Sequence, residues 1–104
     1  MRKESRFQAE LIAELKVRFP GCVVLKNDAG YLQGFPDLLV LHGDKWGALE
    51  AKRDGRAGKR PNQEYWVKAL GLMSFAAFIH PENKQEVLDG LQQTFSAGGP
   101  ARVS

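Results

Sequence analysis

Residues 34–52 read GFPDLLVLHGDKWGALEAK, and this stretch decides the fold. Two apolar runs flank a Gly-Asp dipeptide, which is the pattern of a β-hairpin closed by a tight turn. Three charged side chains, Asp37, Glu50 and Lys52, interrupt the apolar pattern at positions where a core strand favours leucine. Because buried charges cost free energy unless they are paired, these three residues need a common explanation.

Length and composition indicate a small globular protein. The chain has 104 residues, of which 43% are hydrophobic and 26% charged, so we expect one domain with one modest core. The net charge of +3 permits an anionic partner without requiring one. A single cysteine, Cys22, excludes an internal disulfide, and no apolar stretch approaches the roughly 18 residues of a membrane span. We therefore expect a cytoplasmic protein that is not held in a membrane.

The spacing of the apolar residues predicts the element order α-β-β-β-α-β-α. Helices are expected over residues 4–18, 61–72 and 82–95, and strands over 22–26, 37–42, 46–52 and 74–80. A three-stranded meander followed by a helical crossover gives a mixed four-stranded sheet flanked by helices, so we assign the α/β class. We expect a single domain over residues 1–95 and a flexible tail over 96–104, which has no periodic apolar pattern.

The three charges of the hairpin can form one site. Folding the chain about its Gly-Asp turn sets Asp37 beside Glu50, about 5 Å apart at Cβ. Two carboxylates this close repel unless a cation lies between them, and Mg²⁺ or Mn²⁺ prefers oxygen ligands of this kind. Lys52 shares the strand face of Glu50, whereas Ala51 points into the core and offers its backbone carbonyl as a further ligand. A lysine there can hold a metal-bound water for attack.

A plainer interpretation treats Asp37 as a turn cap and Glu50 and Lys52 as a surface salt bridge on an edge strand. The combination of Pro-Asp, Glu-x-Lys and the hairpin argues against it. These residues resemble the motif of the PD-(D/E)XK nucleases, with Pro36-Asp37 followed by Glu50-Ala51-Lys52.

The surrounding residues resemble one branch of that superfamily, the VRR-NUC (virus-type replication-repair nuclease) family. Residues 34–38, Gly-Phe-Pro-Asp-Leu, are similar to its Gly-x-Pro-Asp-Leu motif. An Asn-containing turn after the first strand, here residues 27–30, and a glutamine that opens the next helix, here Gln63, are also typical of the branch. The resemblance covers about residues 4–90.

The resemblance implies a restriction-endonuclease-like core and a Mg²⁺- or Mn²⁺-dependent, structure-specific DNA endonuclease. Branched DNA such as a Holliday junction is the implied substrate. Stand-alone members of the branch occur in phages and act as homodimers. We therefore expect a homodimer, which also suits symmetric cutting of a junction, and a location in the cytoplasm of a bacterial host cell if the protein is phage- or prophage-encoded. Exposed aromatic residues are candidates for the interface, although the sequence does not indicate which of them contribute: Trp46, Trp66, Phe75 and Phe78.

The family also carries a glutamate on its first helix, for which Glu4 is our assignment and Glu10 the fallback. Glu4 lies within the apolar stripe of this helix, whereas Glu10 lies to its side. The resemblance implies that Glu4 binds the metal directly or through water; alternatively, Glu4 is an acid favoured by the helix dipole. Gln63 is expected to hold a phosphate or a water at the metal site, or else to be an ordinary first-turn residue.

A basic loop follows Lys52 and is our candidate for contact with the DNA backbone. Its four cations are Arg53, Arg56, Lys59 and Arg60, and Lys26 and Tyr31 are expected to add contacts on the other side. Such side chains give affinity that is independent of sequence and falls with salt. The alternative is a solvated charged turn.

Two other functions remain open from the sequence. One is a non-catalytic nucleic-acid-binding or assembly module on a nuclease fold, although such copies usually lose a charged motif residue and this chain retains them. The other is a toxin-like or regulatory protein that acts on RNA, since the motifs themselves do not distinguish RNA from DNA. Metal-dependent hydrolysis of DNA is our leading hypothesis, with Asp37, Glu50, Lys52, Glu4 and Gln63 as the catalytic residues.

Overall fold

The computed structural model describes residues 3–28 and 30–96, and the side chains of Lys3 and Glu4 lie outside this description. Its elements are α1 (Lys3–Arg18), β1 (Val23–Lys26), β2 (Leu38–His42), β3 (Lys45–Ala51), α2 (Pro61–Met73), β4 (Phe75–Ile79) and α3 (Lys84–Ser96). The predicted order is confirmed, and each predicted end lies within two residues of the observed one. Ser96 belongs to α3 and not to the predicted tail, whose remaining residues, 97–104, lie outside the described part of the chain.

The four strands form one mixed sheet in the order β1-β2-β3-β4. β1 and β2 are antiparallel, β2 and β3 are antiparallel, and β3 and β4 are parallel, with α2 as the crossover between them. The β2–β3 connection is a two-residue turn because His42 pairs with Lys45. Its first residue, Gly43, has a φ of +66°, a value that glycine adopts without steric cost. The predicted α/β class and mixed sheet are thus confirmed.

One face of the sheet packs against α1 and α3 and carries the main hydrophobic core. The apolar stripe of α1 recurs every four residues, so it presents one continuous face to the strands. The buried residues are Phe7, Leu11, Leu15, Phe19, Leu38, Val40, Leu49, Ala51, Ile79, Val87, Leu88 and Leu91. Each fully buried leucine or isoleucine stabilises the fold by about 1.5–3 kcal/mol. This core fixes the positions of β2 and β3, the strands that flank the charged residues.

Ion pairs at the surface join the two helices on this face. Lys84 Nζ lies 2.7 Å from Glu14 Oε1, and Arg18 donates to Asp89 Oδ1 at 2.6 Å. None of the helices within the described residues is long and apolar enough to cross a membrane.

The opposite face of the sheet is covered by α2 over β3 and β4. Leu70 is the buried residue of α2, and this helix begins at Pro61, directly after the basic loop. On the β1 side this face is more open, since Val23 is 50% exposed and Leu25 is 44% exposed. Glu50 belongs to the face covered by α2, because its strand neighbours Leu49 and Ala51 point into the core on the other side.

The four aromatic residues that we expected to be exposed are each half-buried: Trp46, Trp66, Phe75 and Phe78. Trp66 packs edge-to-face on Phe35, with 5.2 Å between ring centroids, and Phe75 packs against the main core. Partial burial of these four rings contradicts the expectation that they are exposed, and their part in a dimer interface stays a prediction.

Candidate active site

Asp37 and Glu50 lie side by side, one step beyond the β2–β3 ladder. The ladder pairs Leu38 with Leu49, so the continuing register sets Asp37 opposite Glu50. The backbone N–H of Asp37 donates to Glu50 Oε1 at 3.2 Å, and the backbone N–H of Ala51 donates to Asp37 Oδ2 at 3.0 Å. Each carboxylate thus accepts a hydrogen bond from the neighbouring strand, which offsets part of the cost of holding two acids together.

Gln63, in the first turn of α2, links Lys52 to Glu50. Lys52 Nζ donates to Gln63 Oε1 at 2.8 Å, and Gln63 Nε2 donates to Glu50 Oε2 at 3.0 Å. The backbone N–H of Arg60 also donates to Gln63 Oε1, at 3.0 Å, so two donors fix the orientation of the amide. Glu50 is only 4% exposed and Lys52 only 9%. The helix start therefore holds the lysine and the glutamate in one network of hydrogen bonds.

The segment that carries Asp37 is held from both sides. On one side, Asn27 Nδ2 donates to the carbonyl of Pro36 at 2.5 Å, and the backbone N–H of Asn27 donates to the carbonyl of Asp37 at 2.8 Å. On the other side, Gly34 has a φ of +84°, and a Cβ placed there would lie 2.6 Å from Asn62 Cγ. Only glycine fits this approach to α2, so the position of Asp37 depends on both β1 and α2.

A cavity of about 150 Å³ opens where these elements meet. Both carboxylates line it, together with the start of α2 and the loop before β2. The lining residues are Gln33, Gly34, Phe35, Asp37, Glu50, Arg60, Asn62 and Gln63. The cavity therefore combines two acids, one guanidinium and a fixed amide, which is a polar site rather than a gap in the core.

The oxygen ligands of this cavity suit a hard divalent cation. Asp37 and Glu50 supply carboxylate oxygens, and the carbonyl of Ala51 lies between Glu50 and Lys52 in the chain. Within residues 3–28 and 30–96, no group of three or more His, Cys, Asp or Glu side chains could hold a metal ion. The predicted third acid, Glu4, lies in the first turn of α1 with its side chain outside the described part of the structure. The fallback, Glu10, lines a different cavity beside Arg6.

The predicted DNA-binding residues lie on different parts of the surface, and some of them lie beside the carboxylates. Arg60 lines their cavity, and Arg56 and Lys59 are exposed on the loop that leads to it, with Lys59 Nζ 4.9 Å from the Phe78 ring centroid. Arg53 is exposed and lines another cavity together with Arg6 and Lys84.

Lys26 is exposed but is not brought together with the site. The register pairs it with Leu38, so it emerges on the face of the sheet opposite to Glu50. Asn27 was predicted only as part of the Asn-containing turn after β1, and in the structure it is hydrogen-bonded to the segment that carries Asp37. This hydrogen bond of Asn27 could have been predicted only if the register between β1 and β2 were known.

The fold and the site together resemble one class of protein. A mixed sheet between helices, with an acid before one central strand and Glu-x-Lys at the end of the next, is similar to the arrangement of the PD-(D/E)XK-like nucleases. No protein-family model matches the chain, and no curated protein matches it in sequence.

Solved structures give the more particular likeness. The chain is similar to a VRR_NUC domain, with a TM-score of 0.62 and 28% identity over 89% of this chain and 97% of that one. It is also similar in fold to Hjc, a Holliday junction resolvase from the archaeal hyperthermophile Archaeoglobus fulgidus, with a TM-score of 0.51 and 15% identity over 73% of this chain and 67% of that one. The predicted resemblance to VRR-NUC, within the PD-(D/E)XK-like nucleases, is confirmed by these likenesses.

Proposed function

We propose that this protein is a Mg²⁺- or Mn²⁺-dependent endonuclease that hydrolyses phosphodiester bonds in branched DNA such as Holliday junctions. The observation that carries the proposal is that Asp37 and Glu50 line one polar cavity, and that Gln63, which lines it too, is hydrogen-bonded to both Glu50 and Lys52. The likeness to a VRR_NUC domain supports the reaction type, and the likeness in fold to a Holliday junction resolvase is consistent with a branched substrate.

The residues at the cavity fit a divalent metal because their ligand atoms are all oxygens. Asp37, Glu50 and the carbonyl of Ala51 would hold it, with Glu4 as a direct or water-mediated ligand. When bound, such an ion supplies Lewis-acid stabilisation of the charge that develops on the phosphoryl group. Two acids held side by side by backbone hydrogen bonds also repel each other, and a cation between them would relieve this repulsion.

Lys52 has the role of holding the attacking water in line with the scissile bond. Lys52 is 9% exposed and its ammonium group donates to Gln63 Oε1, so the position of this group does not depend on solvent. A buried cation at a fixed position stabilises negative charge more strongly than an exposed one, since it needs no reorganisation during the reaction. Gln63 therefore acts through Lys52 and Glu50, as a positioning residue.

The DNA backbone would cross the cavity along the basic loop. Arg60 lines the cavity, and Arg56 and Lys59 are exposed beside it, so these three are the first candidates for phosphate contacts. Arg53 and Lys26 remain proposed contacts, on other parts of the surface. Affinity supplied by such contacts falls steeply with salt. Because one chain of this size covers little of a junction, we propose that two copies act as a homodimer.

A cleavage panel tests the proposed function. Four-way junction, flap, splayed-arm and linear duplex DNA are incubated with the protein, with Mn²⁺ or Mg²⁺ or with a chelator, and the products are resolved on a denaturing gel. Wild type should cut branched DNA only with the metal, whereas Asp37→Ala and Lys52→Ala should lose the activity. Lys68→Ala, a change at an exposed lysine of α2, is the matched control and should cut like wild type.

Full cleavage by both site variants would refute the assignment of the residues. DNA binding without cleavage, together with no calorimetric signal for Mg²⁺ or Mn²⁺, would instead favour the non-catalytic module. Light scattering during size exclusion tests the homodimer, and a monomer of 11.6 kDa at micromolar protein with junction DNA present would refute it.

A further inference from the structure

A second cavity, of about 200 Å³, lies on the other side of Phe35 from the two carboxylates. It is lined by Asn27, Asp28, Tyr31, Leu32 and Phe35, and Phe35 is the wall that both cavities share. Asn27, at its edge, is joined to Asp37 by a backbone hydrogen bond of 2.8 Å. A ligand in this second cavity would therefore lie directly beside the candidate active site.

The loop around this cavity is structured by its own hydrogen bonds. The backbone N–H of Tyr31 donates to the carbonyl of Asp28 at 3.0 Å, and the carboxylate of Asp28 accepts the backbone N–H of Gly30 at 2.9 Å. Phe35 is fixed from behind by its edge-to-face contact with Trp66, 5.2 Å between centroids. Tyr31 is nevertheless 88% exposed, so its ring is presented at the surface beside the cavity without packing into the core.

The lining residues favour a flat, uncharged ligand. Two aromatic rings and a leucine supply apolar contact area, and none of the lining residues is a cation. Asp28 would repel a phosphate, whereas its carboxylate can accept a hydrogen bond from the exocyclic amine of a base. A nucleobase has this combination of an apolar face and a polar edge, and base stacking on aromatic side chains is the usual way in which proteins hold unpaired nucleotides.

We propose that this cavity binds an unpaired nucleobase next to the scissile phosphate and so selects DNA that is branched at the cut. The proposal rests on the nuclease function proposed above and names a determinant of its specificity. A base in a paired duplex must leave its stack to reach Tyr31 and Phe35, whereas a base at a branch point leaves its stack at lower cost. The cavity thus gives a physical reason for a preference for branched over linear DNA.

Binding measured without divalent ions tests this inference separately from catalysis. Splayed-arm DNA with 2-aminopurine at single positions around the branch is titrated with protein in chelator, and fluorescence anisotropy and 2-aminopurine emission are followed. Wild type should change the emission at one or two positions only. Tyr31→Ala should abolish that change and weaken binding of the splayed arm by about 5- to 150-fold, the loss of one stacked base. Binding of fully paired duplex should stay within about twofold of wild type.

Two variants make the result specific. Tyr31→Phe keeps the ring and should bind like wild type. Tyr65→Ala removes another tyrosine, one that is 61% exposed on α2 and does not line the cavity, and it should also bind like wild type. Equal weakening of branched and duplex DNA by Tyr31→Ala, or no weakening of either, would overturn the inference.

The outcomes also separate the two proposals. Tyr31-dependent binding by a protein that never cuts with Mg²⁺ or Mn²⁺ would support the base site and refute the nuclease function. Metal-dependent cleavage that Tyr31→Ala leaves unchanged on every substrate would support the nuclease function and refute the base site. Absence of any DNA binding would refute both.

Discussion

Replacing Gly34 with alanine tests whether the segment before Asp37 is clamped against α2. Gly34 has a φ of +84°, and a Cβ placed there would lie 2.6 Å from Asn62 Cγ, 2.8 Å from its Cβ and 2.9 Å from its backbone carbonyl carbon. The left-handed backbone costs an L-residue about 1–2 kcal/mol, and a methyl group forced into a packed contact costs about 1–3 kcal/mol more. We therefore expect Gly34→Ala to lower the free energy of unfolding by about 2–5 kcal/mol.

Gly21→Ala is the matched control because it carries the same backbone strain without the contact. Gly21 has a φ of +89°, and nothing lies within 4 Å of a Cβ placed there. It should lose only about 1–2 kcal/mol. Urea denaturation followed by circular dichroism gives both values, and thermal melts give a second measure, since 1 kcal/mol shifts the Tm of a domain of this size by about 4–8 °C. Equal losses for the two variants would refute the clamp.

The same pair of variants connects the clamp to the proposed activity. Gly34 lies three residues before Asp37, so a backbone shift that relieves the contact with Asn62 also moves this carboxylate relative to Glu50. At a temperature where both variants are folded, Gly34→Ala should cut junction DNA more slowly than Gly21→Ala. A folded Gly34→Ala with the wild-type rate would show that the site tolerates the shift.

Three other changes test features around the site and the core. Asn27→Ala removes the amide that donates to Pro36 and should lower the free energy of unfolding by about 1–2 kcal/mol in urea titrations; an unchanged value would show that the amide does not hold the segment. A hydrogen bond from Lys84 holds the pKa of Glu14 below its ordinary value of 4.5, so the pair contributes stability that is present above that value and is lost as the pH falls through the lowered pKa. Lys84→Met should therefore cost less than about 1 kcal/mol at neutral pH and nothing in acid, and a loss that is constant with pH would contradict this. Burial raises the pKa of the Cys22 thiol, so a maleimide should react slowly at neutral pH and faster in urea, as followed by mass spectrometry; equal rates would count against a protected thiol.

Residues that interrupt regular structure explain why the elements could be predicted from the sequence. Pro20-Gly21 follows the end of α1, Pro61 begins α2, and Pro81 follows β4. Because Gly43 and Asp44 close a two-residue turn, the turn also determines the register of β2 and β3. The pairing of Asp37 with Glu50 therefore followed from counting along the hairpin.

The register of β1 against β2 could not be predicted by counting residues. The connection from Lys26 to Leu38 spans residues 27–37, which is too long for its length to determine the register, and a shift of one residue moves every side chain of a strand to the other face. The observed register puts Lys26 beside Leu38, on the face away from Glu50, and leaves Asn27 next to Asp37. The sequence indicated Lys26 as a DNA contact beside the site, whereas in the structure it is Asn27 that lies next to Asp37.

The alternation of side chains along the hairpin explains how three charges fit among leucines. Leu38 and Leu49 face the core formed with α1 and α3. Asp37 directly precedes Leu38 and Glu50 directly follows Leu49, so both acids face α2. On that side the acids meet backbone N–H groups and the amide of Gln63 in place of apolar side chains. The same pairing of strands that packs the leucines thus also brings the acids together. A substitution that shifted this register by one residue would lose the core and the site at the same time, which ties the proposed chemistry to the stability of the fold.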